Sequence, residues 1–165
     1  AASDVYKRQL MAPAHDAAAL SATHRAYQSD HLHLVELFPS TVHVLETLTS
    51  RGIRIAAVTT RSNRTSVRSL EVTGIRRFFD VVISAEDVTS HKPHPEPLEM
   101  ALSALGVAPA RAIMVGDTHV DIGGAKNAGV RSVAALYGFG GEELEQLHPD
   151  HVIRDLSELL LLEAS

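Results

Sequence analysis

Four short segments hold the residues whose types and spacing suit chemistry. In Ala112-Ile113-Met114-Val115-Gly116-Asp117-Thr118-His119-Val120-Asp121-Ile122, an apolar run too short for a helix reads as a buried strand, and Gly116 ends it. Asp117 then stands at the strand's carboxyl tip, and Asp121 opens a helix that Gly129 closes. Paired hard oxygens at such an edge suit Mg²⁺, which is usually held by one or two carboxylates, waters and a substrate phosphate. The plainer alternative is that Asp117 caps a turn and Asp121 is the helix N-cap. Thr59 ends the apolar run Ile53–Val58, where its hydroxyl and the N–H groups that follow can hold a phosphate oxygen. Lys92 lies in Ser90-His91-Lys92-Pro93-His94-Pro95, a loop stiffened by proline, and as a point charge it can neutralise a phosphoryl group. Each residue taken singly also fits an ordinary loop or turn.

The elements that must position these groups follow from periodicity. Helical spacing runs from Met11 to about Phe38 and again over Val42, Leu45 and Leu48, with Ser40 or Thr41 as cap and Gly52 as stop. Strands are expected at Ile53–Val58, Phe79–Ile83, Ile113–Val115, Ser132–Leu136 and His151–Ile153. Helices are expected at Arg64–Thr73, Glu96–Leu105 and from Asp121 to Gly129. Gly138-Phe139-Gly140-Gly141 reads as a flexible loop. Strands alternating with helices imply βαβ crossovers and an α/β fold with a doubly wound, Rossmann-like, mostly parallel sheet.

Composition narrows the function classes. The chain has 165 residues, 45% hydrophobic and 21% charged, which fits one globular domain. A net charge of −5 gives no electrostatic reason to expect a nucleic-acid partner. The arginines at 61, 64, 68, 76 and 77 read as a solvated helix face, and the histidines at 15, 24, 31 and 33 as surface residues. Without cysteine there are no disulfides or thiolate metal sites. The longest apolar run is too short to span a bilayer, so no membrane partner is expected, and with no secretory signal in view a cytoplasmic location is the default.

The order Thr59 after a strand, then Lys92-Pro93, then Gly116-Asp117-Thr118-His119-Val120-Asp121 resembles the second, third and fourth motifs of the haloacid dehalogenase superfamily. The flanking Gly52, Gly74, Phe78-Phe79-Asp80 and Asn127-Ala128-Gly129 look like its phosphoglycolate phosphatase and bacterial pyrophosphatase branch. That resemblance implies a Mg²⁺-dependent phosphatase acting on a small phosphorylated substrate. An aspartate attacks the phosphoryl group, water cleaves the phosphoaspartate, and a second aspartate serves as general acid and base. It also implies roles here: Thr59 and the Thr60 amide bind phosphate, Lys92 stabilises charge, and Asp117 ligates Mg²⁺. Asp121 is then a second acid at the metal or orients Lys92. A phosphosugar mutase would use the same core motifs, and substrate choice would rest with a helical cap.

The family's first motif, Asp-X-Asp-Gly-Thr, occurs nowhere in this sequence, and His94 stands where relatives often carry aspartate. Residues 1–9 read as non-native, 10–38 as the remnant of a helical cap, and 39–165 as a core lacking its first strand, hence a truncated and inactive chain. In the family the nucleophile strand is central. Its loss predicts two half-sheets whose unpaired edges invite self-association. The rival expectation is a non-catalytic phosphate- and Mg²⁺-binding or regulatory module. A receiver-like doubly wound domain leaves the Lys92-Pro93 loop unexplained.

Overall fold

The computed structural model describes residues 34–162. The expectations for residues 1–9, and for most of the stretch 10–38, fall outside that range. Helix α1, Thr41–Ser50, turns Val44, Leu45 and Leu48 inward, and Gly52 at φ 75° redirects the chain. Residues 35–38 are not helical, so the spacing that runs toward Phe38 does not continue as helix there.

Strand β1 is Ala56–Val58, three residues shorter at its start than the apolar run. The reason lies outside the run. Asp80 captures the backbone of Ile55 from both sides, its Oδ2 accepting from Ile55 N–H at 2.8 Å and its N–H donating to Ile55 O at 2.8 Å. Helix α2, Asn63–Val72, begins one residue early because Ser62 accepts from Thr65 N–H as its cap. Strand β2 is Val81–Ile83, since Arg76–Phe78 forms a 3₁₀ turn in front of it. Helix α3, Glu96–Leu105, has the expected bounds and buries Leu98, Ala101 and Leu102.

Strand β3, Ile113–Gly116, leads into helix α4, His119–Asn127. Strand β4 is Arg131–Ala135 and β5 is His151–Ile153, joined through a 3₁₀ stretch at Gly141–Leu147. A short helix α5, Leu159–Leu162, closes the described part. None of the described helices is long and apolar enough to cross a membrane.

All strand pairing among the described residues is parallel, in two separate sheets, β1-β2 and β3-β4-β5. Helices cover both faces. Met114 of β3 packs with Leu98, Leu102, Ala125 and Val130, whereas its neighbours Ile113 and Val115 pack with Val44, Leu48 and Leu159. Alternate residues thus point to opposite layers, as a doubly wound sheet requires.

The same two clusters reach across to the smaller sheet, taking in Val58 on one face and Ile55 on the other. Helices α1 and α3 therefore span both sheets. Between them β1 and β3 each carry one edge with no strand partner among the described residues. Both strands are half-exposed throughout, while four of the five residues of β4 are buried.

Candidate active site

The site gathers where β1 and β3 end. Lys92 sits in the loop before α3, after a run of polar anchors. Glu96 accepts from Thr89 N–H and Ser90 N–H, each at 2.8 Å, and these bonds hold its carboxyl below the usual range. Asn127 Nδ2 donates to Pro93 O at 2.8 Å, tying the loop to the end of α4. The Lys92-Pro93 peptide is cis. His94 leaves Lys92 undisturbed, because its Nδ1 accepts from Glu96 N–H at 3.2 Å.

The stem of Lys92 lies over α4 where Gly123 and Gly124 leave room. A Cβ at Gly124 would stand 3.4 Å from Lys92 Cγ, and one at Gly123 would stand 3.0 Å from Pro93 Cβ. The ammonium then donates to Val58 O at 2.7 Å and to Asp121 Oδ1 at 2.7 Å. Lys92 and Asp121 are both 6% exposed, so this is a buried ion pair. It also joins the carboxyl end of β1 to the start of α4, across the two sheets.

Asp121 is fully engaged. Its Oδ2 accepts from Thr118 N–H at 3.1 Å and from the Thr118 hydroxyl at 2.6 Å. Thr118 is therefore the N-cap, and Asp121 is its capping-box partner at the third helical position rather than the cap itself. Gly116 is needed here, because a Cβ on it would overlap that of Asp121 and stand 2.6 Å from its Cγ. These contacts are those of a residue that orients Lys92.

Asp117 turns the other way. Its Oδ2 accepts from Phe139 N–H at 2.9 Å and its main-chain oxygen from Gly140 N–H at 2.8 Å. Its Oδ1 accepts from no donor among the described residues. The Gly138–Gly141 stretch, expected to be a flexible loop, is thus pinned to Asp117. Tyr137 stands before it, half-buried and edge-on to Phe38 at 4.9 Å between ring centroids. Burial, then the charges of Asp155 and Asp117, push its hydroxyl up to about 12, so it stays protonated.

Thr59 follows Val58 directly and is half-buried; its hydroxyl oxygen accepts from Arg61 N–H at 3.1 Å, which leaves its proton free to donate outward. The Thr60 N–H donates to no acceptor among the described residues. Of the arginines, Arg68 pairs with exposed Glu71, and Arg77 lies over the Phe78 ring at 4.3 Å and 3.7 Å from Glu46.

A hard cation such as Mg²⁺ takes oxygen ligands. Among the described residues no group of three or more His, Asp or Glu side chains is placed to hold a metal. One carboxylate oxygen, Asp117 Oδ1, accepts from no donor among the described residues, and a site with one protein carboxylate completed by water and substrate phosphate is an ordinary Mg²⁺ arrangement. Asp117 fits as a ligand; Asp121 fits as the residue beside it that fixes Lys92. Sequence reasoning missed Thr118, Val58 O and the Gly138–Gly140 loop. The Gly-X-Gly immediately after β4 was the available signal for the last.

Known proteins share this sequence pattern and fold. The haloacid dehalogenase-like hydrolase family matches residues 2–135. The pyrophosphatase PpaX of Halalkalibacterium halodurans is 40% identical over 141 residues, covering 84% of this chain and 66% of its own length. This chain therefore spans a little under two thirds of that relative. A Lactobacillus plantarum protein described as a phosphoglycolate phosphatase superposes with a TM-score of 0.88 at 25% identity, over 96% of this chain and 76% of its own. CbbY from Rhodobacter sphaeroides, solved in complex with phosphate, gives 0.74 at 27% identity over 84% and 65%. The chain belongs to the haloacid dehalogenase-like hydrolase family.

Proposed function

We propose that this chain carries the phosphate-binding, charge-neutralising and metal-facing part of a Mg²⁺-dependent phosphatase that acts on a small phosphate ester or pyrophosphate. The observation that carries the reading is the buried Lys92 ammonium, fixed by Asp121 and Val58 O at the point where β1 and β3 end. A cation held at Val58 O, with the Thr59 hydroxyl proton and the Thr60 N–H next along the chain and unpartnered among the described residues, offers a dianionic phosphoryl group charge and donors together. PpaX being named a pyrophosphatase, and CbbY having been solved with phosphate, support the substrate class.

The reaction divides among these residues. Thr59 and Thr60 hold the phosphoryl oxygens, Lys92 offsets their charge, and Asp121 holds the Lys92 side chain in place. Asp117 is the residue that would hold Mg²⁺, with Asp121 as the second acid nearby. When bound, the ion supplies further charge neutralisation and fixes the phosphate's orientation. The attacking carboxylate is not among these groups: the sequence contains no Asp-X-Asp. We place it on a strand that pairs between the open edges of β1 and β3. There its oxygen bonds to phosphorus as the ester oxygen departs with a proton from a general acid. Water then cleaves the acyl phosphate, returning carboxylate and inorganic phosphate.

Without that strand the 165-residue chain binds but does not turn over, and its open edges can pair with a second copy. The lack of cysteine and the acidic balance suit a cytoplasmic setting. Phosphate release from p-nitrophenyl phosphate and from pyrophosphate, with Mg²⁺, tests this in the chain as written and in one extended upstream through an Asp-X-Asp strand. Activity confined to the extended protein and lost on Asp117→Ala is expected. Turnover by the shorter chain would place the nucleophile within it and overturn the assignment. Inactivity of both, with phosphate still bound, would favour a binding module.

A further inference from the structure

Among the described residues, Gly138-Phe139-Gly140 is the segment that hydrogen-bonds Asp117 through both its side chain and its main chain. Phe139 N–H donates to Oδ2 at 2.9 Å and Gly140 N–H donates to the main-chain oxygen at 2.8 Å. The Phe139 side chain is 92% exposed, so the loop is not held by burying its aromatic ring. Neither Gly138 nor Gly140 has a positive φ; Gly140 sits at φ −80°, a conformation open to any residue. Glycine is required for space. A Cβ at Gly138 would overlap Asp117 Cβ and lie 2.8 Å from its Cγ. One at Gly140 would stand 2.8 Å from Asp117 O and 2.8 Å from Leu144 Cδ2. Leu144 cannot give way easily, being buried against Ile122, Ala134 and Leu136.

We infer that this loop is a positioning clamp for Asp117: it fixes the carboxylate through Oδ2, aims Oδ1 outward, and thereby sets the site's affinity for a divalent cation. The inference rests on the proposed role of Asp117 as the metal-holding residue. Two physical reasons support it. A free aspartate at a strand tip would sample several rotamers, and a pre-fixed one loses less entropy on binding. A neighbouring N–H on the non-ligating oxygen also holds the carboxylate's orientation, and such outer contacts typically change metal affinity by about 10- to 100-fold. The residues of the clamp are positioning residues and touch no substrate.

Mn²⁺ serves as the probe, titrated into the 165-residue chain and followed by electron paramagnetic resonance of the free ion. Gly138→Ala is expected to weaken Mn²⁺ binding by about 10-fold or more, with Gly140→Ala acting in the same direction. A purely structural role is separated by Ile153→Ala, a core truncation expected to lower the thermal midpoint yet leave Mn²⁺ affinity within about twofold. If Asp117→Ala abolishes binding and Gly138→Ala matches the wild type, the clamp is wrong and the metal reading stands. If the wild type takes up no Mn²⁺, or Asp117→Ala leaves uptake unchanged, the metal reading fails instead.

In that case, or if Gly138→Ala does not fold, amide hydrogen exchange judges the clamp itself. In Asp117→Ala the Phe139 amide should exchange about tenfold faster or more, having lost its acceptor. Unchanged exchange at Phe139 would overturn the inference.

Discussion

The two sheets are built from similar apolar strands yet are buried to different degrees. In the larger one β4 has a partner on each side, and Val133 and Ala134 are wholly buried. In the smaller one β1 pairs on one side only among the described residues, and all three of its residues are half-exposed. β3 shares that half-exposure although it belongs to the larger sheet. Burial therefore follows strand position: β4, paired on both sides, is the buried strand, the outer β2 and β5 each bury one residue of three, and β1 and β3, each with one edge unpaired among the described residues, are half-exposed throughout. The candidate site sits at the ends of these two strands. Its side chains are positioned by the larger sheet through Asp117 and Asp121, and by the smaller one through Thr59.

The largest effect should come from cutting the tie between the halves. Lys92→Ala would leave Asp121 buried without its cation and Val58 O without its donor. Breaking a buried pair in this way costs about 3–5 kcal/mol, against a typical domain total of about 5–15 kcal/mol. Urea unfolding should show that loss. Asp121→Asn should cost less, since Lys92 keeps Val58 O. The double replacement Lys92→Met with Asp121→Leu should recover part of the loss, because no charge is then stranded. A Lys92→Ala cost below about 1 kcal/mol would mean the pair does not hold the two sheets together.

Next in size is the contrast between the cores. Ile153→Ala, at 1% exposure beside Val133 and Ala135, should cost about 2–5 kcal/mol. Ile53→Ala, at 37% exposure just ahead of β1, removes little buried surface and should cost less than about 1 kcal/mol. Amide exchange should follow the same order, slow in β4 and faster in β1. Equal costs at the two sites would erase the distinction drawn here.

How much of this was legible in the sequence depends on the range of the interaction. Helix α3 and strand β5 have the bounds that periodicity predicts, because the Leu98, Ala101 and Leu102 spacing and the Gly106 stop are local signals. The start of β1 was misplaced because Asp80, 25 residues away, takes over the backbone of Ile55. Thr59, Lys92, Asp117 and Asp121 could be picked out by type and strand-end position. The resemblance left only Asp121 open, between a second acid at the metal and a residue that orients Lys92. Asp121 turning inward to Lys92 while Asp117 turns outward depends on Val58 O and on Phe139 N–H, backbone groups that no residue type announces. Likewise Gly138 and Gly140 look like generic loop glycines until a Cβ is placed on them.

The smallest effect compares one device that both sheets use. Ser84, after β2, gives its N–H and hydroxyl to Asp87; Ser132, in β4, gives both to Asp150 at 2.7 Å each. These bonds hold both carboxyls below their ordinary value of 3.8. A carboxyl depressed in the folded state adds stability that is present above the unfolded pKa and fades as pH falls through 3.8 toward the folded value. Asp87→Ala and Asp150→Ala should thus each cost more at pH 7 than at pH 3, by unfolding measured at both. Both carboxylates are exposed, so solvent screens them and the penalties should stay below those of the core variants. Reach separates the two. Asp87 closes a three-residue turn, whereas Asp150 returns a bond from Ser132 across 18 residues, its own N–H donating to Ser132 Oγ at 3.0 Å. Asp150→Ala should therefore loosen the start of β4 and the approach to β5, and Asp87→Ala only its own turn. Exchange at the Ser132 amide decides it: acceleration in Asp150→Ala but not in Asp87→Ala is expected. The same rate in both would mean that the long-range bond does no more for its sheet than the local one.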